Sequence, residues 1–178
     1  NDADIILITH SHYDHFSEED IEKVRKADTK IVITDDLHEK ARDIGFKDEN
    51  IIVMKPYDKY TFDNIKIETI PAYNTNKDFH PKRNNWVGYL ININNTIYYI
   101  AGDTDITEEN KKVKCDVAFV PVGGTYTMTS DEAVELVNTI KPKFAVPIHY
   151  GEIVGSKEDA INFVEHLEEG IKGEILMN

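Results

Sequence analysis

Cysteine is nearly missing from this chain. Cys115 is the one thiol in 178 residues, so no intrachain disulfide framework can form, and the composition fits a reducing cytosol. Long hydrophobic runs are missing too. Stretches such as "IILI" and "VAFVPV" have the length of buried strands and fall well short of a bilayer span. Positive charge is scarce: 20 Lys and Arg stand against 33 Asp and Glu, a formal charge of −13. Such a surface repels nucleic acid and anionic lipid, so the expected partner is a small-molecule substrate, with no nucleic acid and no membrane. Neither an internal repeat nor a low-complexity tract occurs. Histidine is scarce overall, yet three of the seven fall within six residues, His10 to His15, in "THSHYDHF".

Around that loop, short apolar runs alternate with helix-like segments. "DIILIT" reads as a buried strand ending at the histidines. Ser17 reads as an N-cap with Asp20 at the capping-box position, Phe16 and Ile21 as a hydrophobic staple, and the helix as running to about Ala27. "KIVIT" is the next strand, and "DDLHEKARDIG" a helix stopped by Gly45. The middle reads as strands: "IIVMK", "KYTFD", "IKIETIPA", then "VGYLINI" and "TIYYIAG" around a tight Asn94-Asn95 turn. Between them lies "YNTNKDFHPKRNN", a polar loop long enough to suggest function. The last third alternates "VAFVPV", a helix over "SDEAVELVNTIK", "KFAVPIH", a helix over "SKEDAINFVEHLEEG", and "GEILMN" as an edge strand. Strands and helices mixed in this way predict an α/β layered domain.

Imidazole and carboxylate are donors for zinc, iron and manganese. Side chains alternate along an extended segment, so His10 and His12 can point the same way. Asp14 and His15 follow where the strand becomes a loop, and can face a second point. The spacing suits two neighbouring metal positions better than one; the bland alternative is a solvated polar loop. Two metals need further ligands. Asp103, just past the strand in "YYIAGDTD", and His149, ending the strand in "FAVPIHYG", are the remote candidates.

These segments together resemble the metallo-β-lactamase fold superfamily: His-x-His-x-Asp-His after one strand, Gly-Asp after another, a late histidine after a third. "PAYN", "AGDTD", "PVGGTYTM" and "PIHYG" resemble more narrowly the bacterial and archaeal metal-dependent hydrolases related to ascorbate-phosphate lactonase. The resemblance covers essentially the whole chain and implies a four-layer αββα sandwich with the site at one edge of two sheets. Residue by residue it implies His10 and His12 on a first divalent metal ion, Asp14, His15 and His149 on a second, and Asp103 bridging. Zinc is the first candidate, manganese or iron the others. Two departures stand out. The family places a third histidine for the first metal where this chain has Asn74, and His80 lies six residues on; His80 is expected to complete the site, with Asn74 behind it. The family also has several strands before the histidine loop, so the chain is expected to be one metallo-hydrolase domain, 1–178, lacking N-terminal strands of the first sheet. Pairing with a second copy, a homo-oligomer, is one way to cover the edge so exposed.

The expected chemistry is hydrolysis. A metal-bridging hydroxide would attack a carbonyl or phosphoryl centre of a small substrate, expected to be anionic, such as a lactone, ester or phosphodiester. Asp14 would orient the nucleophile, and Tyr126, Tyr150 or His80 would protonate the leaving group. Lys77, Lys82 and Arg83 form a small basic group that could meet an anionic substrate, with a solvated loop as the default reading. Gly123-Gly124 is read either as a close backbone approach to the site or as a turn. Trp86 is read mainly as core, with the pocket lining as the other reading, and Cys115 as a small buried hydrophobe. The alternatives are a nuclease of the same superfamily, which the acidity disfavours, and a metal-binding protein that has lost activity.

Overall fold

The computed structural model describes residues 2–151 and 154–176. A first sheet contains β1 (Ala3–Leu7), β2 (Arg25–Ile33) and β3 (Ile51–Val53), all parallel, in that order. Two short helices serve it, α1 (Glu18–Val24) and α2 (His38–Asp43). The second sheet has seven strands: β4 (Lys59–Phe62), β5 (Ile65–Pro71), β6 (Val87–Ile93), β7 (Thr96–Ile100), β8 (Val117–Pro121), β9 (Phe144–Ile148) and β10 (Lys172–Gly173). Their order is β10-β9-β8-β7-β6-β5-β4. From β4 to β7 the sheet is an antiparallel meander; from β7 to β10 it is parallel. Parallel neighbours need crossovers. Helices α3 (Ser130–Ile140) and α4 (Lys157–Glu165) supply those of β8 to β9 and β9 to β10.

Side-chain alternation turns these elements into four layers. Along β2, Ile31 and Ile33 pack with Ile21, Leu37 and Ala41 from the first pair of helices. Val32 between them faces the other way, into a layer with Ile67, Val87 and Tyr89 of the second sheet. On that sheet's far side, Ala118 and Val120 meet Leu136, Val137 and Phe163 of α3 and α4. Three apolar interfaces between four layers are the αββα sandwich that the resemblance implied. No helix among the described residues is long and apolar enough to cross a membrane.

Local signals act where they are placed. Thr129 and Glu132 form a reciprocal capping box for α3, as Ser156 and Asp159 do for α4. Asn94 and Asn95 both have positive φ, 52° and 64°, the conformation that a tight two-residue hairpin needs. Two boundaries differ from expectation. α1 stops at Val24, not near Ala27, and β2 starts at once. The strand is captured by β1: Arg25 pairs with Ala3, and Thr29 Oγ1 accepts from Lys26 N–H (2.8 Å) while donating to Ala3 O (2.6 Å). At the far end β10 is Lys172–Gly173, two residues paired with β9, rather than a strand over "GEILMN"; residues 177–178 of that segment lie outside the described residues.

Candidate metal centre

Strands β5, β7, β8 and β9 run the same way in the second sheet, and their C-terminal ends open onto one edge. The loop after β1 reaches the same edge. Val87 N–H donates to Thr9 O (3.1 Å), and Tyr89 Oη donates to Ile8 O (2.6 Å), tying the start of the histidine loop to the second sheet. The loop then curls into a helical turn, with His15 and Phe16 N–H both bonded to His12 O (3.0 and 2.8 Å).

Two donor groups result. His10, His12, His80 and Asp103 bring one ligand atom each to within 4.8 Å of one another; Asp14, His15 and His149 do the same beside them. Asp103 lies between the groups. Its Oδ2 is 3.2 Å from Nε2 of both His80 and His149, and its Oδ1 is 3.2 Å from His15 Nε2. Asp14 Oδ2 is 3.5 Å from Nε2 of His15 and of His149. His10, His80 and Asp103 are buried; Asp14 is 22% exposed at the side chain. Nε2 of His15 and of His80 is buried with no hydrogen-bond partner among the described residues. Buried polar atoms are normally satisfied, so inward-facing orphaned nitrogens beside a carboxylate are what a cation site needs. The residues fit divalent metal.

The electrostatics agree. Burial, then the neighbouring His15, pulls the His10 pKa down to about 2, and burial with His80 lowers that of His12. Both shifts favour the neutral imidazole, the form whose lone pair a metal needs. Burial alone would raise the Asp103 pKa, but His149, His15 and His80 outweigh it and hold the carboxyl far below its usual range. His149 moves up: burial opposes charge there, and Asp103 and Asp14 overcome it.

Behind these atoms stands a supporting layer. Asn74 Oδ1 accepts from His80 N–H (2.9 Å) and lies 3.1 Å from His80 Nδ1; Asn74 Nδ2 donates to Tyr126 O (2.9 Å). His80 Nδ1 is also 3.2 Å from Tyr126 O. With only acceptors facing Nδ1, the proton sits there, and the Nε2 lone pair faces Asp103. Asn74 therefore orients His80 from behind. Lys77 Nζ binds Asp105 Oδ1 (2.6 Å), and Asp105 Oδ2 accepts from Thr75 N–H (2.8 Å), pinning the 73–80 loop to the loop that carries Asp103.

Asp36 carries the clearest role that sequence reasoning missed, and it acts through Trp86. The Trp86 ring packs 4.9, 4.8 and 5.6 Å from the imidazoles of His10, His12 and His80, and its Nε1–H donates to Asp36 Oδ2 (3.0 Å). Asp36 also accepts from Thr34 Oγ1 (2.6 Å) and from Ser11. No sequence signal marked Asp36, which sits 50 residues from Trp86 in an ordinary helix-start pattern.

Several expectations are corrected. Lys77 and Lys82 are held by Asp105 and Glu109, and neither they nor Arg83 line the cavity at the centre. Tyr150 packs into the core between the second sheet and its helices and does not line the cavity either, whereas Tyr126 does. Trp86 is buried, but against histidines rather than in the apolar layers. Both readings of the glycine pair hold, one for each residue. A Cβ on Gly123 would come within 2.4 Å of His149 O, a close approach, while Gly124 has φ 78° and donates its N–H to Met128 O (2.9 Å) in a turn. Cys115 is half-buried against the apolar layer, and burial, with Asp116, pushes its thiol up to about 12.

The sequence model of the beta-lactamase superfamily domain matches residues 1–149 of this chain. The chain belongs to that superfamily. A UPF0173 metal-dependent hydrolase from Thermococcus kodakarensis is 34% identical over 158 residues, 84% of this chain and 67% of that relative. A solved structure from Parabacteroides distasonis, assigned as a metal-dependent hydrolase, superposes with a TM-score of 0.82 at 36% identity, over 98% of this chain and 76% of that one. CmlA, a diiron beta-hydroxylase from Streptomyces venezuelae, shares the fold alone: TM-score 0.79 at 16% identity, over 98% of this chain and 44% of that one. The family relatives make this chain a metal-dependent hydrolase of the metallo-β-lactamase superfamily.

Proposed function

We propose that the chain hydrolyses a small molecule at a centre of two divalent cations, zinc first, with manganese or iron as alternatives. His10, His12 and His80 would hold one ion; Asp14, His15 and His149 the other. The observation that carries this reading is the Asp103 carboxylate, which touches imidazoles of both groups within 3.2 Å. Two such ions supply hydroxide at neutral pH and draw charge from the bond to be broken. The chain's own residues do the rest. Asn74 and the Tyr126 carbonyl fix the proton of His80 on Nδ1. Asp14, the most open of the candidate ligands beside the cavity, is placed to orient the attacking water. The Tyr126 side chain lines the same cavity and is the proposed proton donor to the leaving group.

Metal analysis after gentle purification should find about two equivalents. His12→Ala should remove close to one, and Asp103→Asn should weaken both. A wild-type protein that saturates at a single equivalent would sink the two-ion reading. A metal-loaded protein inert toward esters, lactones, thioesters and phosphodiesters would sink the hydrolytic one.

A further inference from the structure

The centre opens into a cavity of about 220 Å³, and its lining divides by chemistry. The floor is the candidate metal ligands. The mouth is aromatic: Tyr13, Phe79 and Tyr126. Tyr13 and Phe79 are 75% and 49% exposed, while Phe79 meets Tyr126 edge to face at 4.7 Å. Phe79 is thus held as a wall, one residue from His80. Exposed large aromatics around a concave site imply something that covers them. Among the described residues no cationic side chain lines the cavity: Lys77 faces Asp105, and Lys82 faces Glu109 and Tyr73. The chain as a whole carries −13.

We propose that Phe79, Tyr126 and Tyr13 select an uncharged carbonyl substrate bearing one flat apolar ring, such as a monocyclic aryl ester, and that phosphorylated substrates are disfavoured. The inference rests on the hydrolytic reading above and narrows it. Size limits the choice: an apolar cavity of about 150 Å³ accepts benzene, and the 220 Å³ here is shared with the ion positions at its floor, so one ring is the most that it takes. Faces and edges of Phe79 and Tyr126 offer a ring the offset or T-shaped contacts that aromatic groups prefer. A phosphate monoester would bring up to two negative charges past a mouth that, among the described residues, holds no ammonium or guanidinium, so only ions at the floor would meet them. The reaction is plain hydrolysis: water adds to the carbonyl carbon, the bond to the alkoxy or aryloxy oxygen breaks, and that oxygen leaves with a proton.

The test compares kcat/KM of the zinc-loaded protein for phenyl acetate, methyl acetate and phenyl phosphate, in the wild type and in Phe79→Ala. The expected result is that phenyl acetate is preferred, and that the phenyl-to-methyl ratio falls by ~10-fold in Phe79→Ala, in the range that apolar pockets discriminate. Zinc content is measured in both proteins, so a lost metal is told apart from a lost wall. Preference for phenyl phosphate, or an unchanged ratio with zinc intact, overturns the inference while leaving the hydrolytic reading in place. If nothing is turned over, the hydrolytic reading fails, and calorimetric binding of the same compounds to the zinc-loaded protein still decides the inference. Phenyl phosphate bound more tightly than phenyl acetate overturns it; the reverse order, lost in Phe79→Ala, supports it.

Discussion

Lys77→Met is the sharpest test of how the His80 loop is held. Lys77 Nζ and Asp105 Oδ1 are 2.6 Å apart, with side chains 17% and 3% exposed. Removing the ammonium leaves a buried carboxylate with Thr75 as its remaining close donor, at 2.8 Å from the backbone N–H. Breaking a buried pair from one side costs about 3–5 kcal/mol. The partial exposure of Lys77 and the surviving Thr75 bond put this case near ~3 kcal/mol, a large share of the ~5–15 kcal/mol that a domain has in total. Urea unfolding of the metal-free protein should show a lower midpoint at unchanged slope. Asp105→Asn in the same background removes the uncompensated charge while keeping an acceptor for Thr75, and should recover about half the loss or more. Zinc affinity at the site containing His80 should fall in Lys77→Met, since each ~1.4 kcal/mol of lost preorganisation is tenfold in binding. A stability change within ~0.5 kcal/mol, the range of a solvated surface pair, would refute the argument.

Three further outcomes are expected. Against Asn74→Ala, which removes support alone, His80→Ala should cost more zinc at the first group; the opposite order, measured by competition with a chelator, would make Asn74 the ligand. Trp86 is the one tryptophan in the chain and packs on three of the imidazoles. Its emission should therefore change saturably as zinc fills the first group, and a flat titration with zinc bound would contradict that placement. Burial opposes the charge on Glu109, but hydrogen bonds from Lys82 and Tyr73 prevail and lower its pKa from 4.5 to about 2. A carboxyl depressed in the folded state stabilises fully above its unfolded value and loses that contribution as pH falls through the folded one. The stability gap between wild type and Lys82→Gln should therefore be largest above about pH 4.5 and close toward pH 2; a gap that widens on acidification would show the sign to be wrong.

Much of the architecture was legible from the chain because it is written in short-range pattern. Short apolar runs gave the strands, apolar stripes gave α3 and α4, which capping boxes at Thr129 and Ser156 reinforce, and two adjacent asparagines, both at positive φ, gave the hairpin. The clustered histidines named the chemistry, since no other use of three imidazoles and a carboxylate in six residues is as economical. Boundaries were less legible: α1 ends at Val24 because β2 is claimed by pairing with Ala3, a partner more than twenty residues away.

What the sequence alone determined was which donors exist and which strands carry them to a sheet edge. What the tertiary structure decided was company. "YNTNKDFHPKRNN" has no periodicity, so nothing local says that Asn74 folds back onto His80 or that Tyr126 O, 46 residues on, shares the same proton. The lysines of that loop looked available for an anion until Asp105 and Glu109 were found facing them. Trp86 reads as core by its type, and only the packing of the loop after β1 against the start of β6 sets it behind three histidines, with Asp36 holding its indole. Torsional preference and apolar period act over a few residues. Ion pairs and shared protons between segments 27 to 50 residues apart depend on how the two sheets stack, which no local pattern encodes.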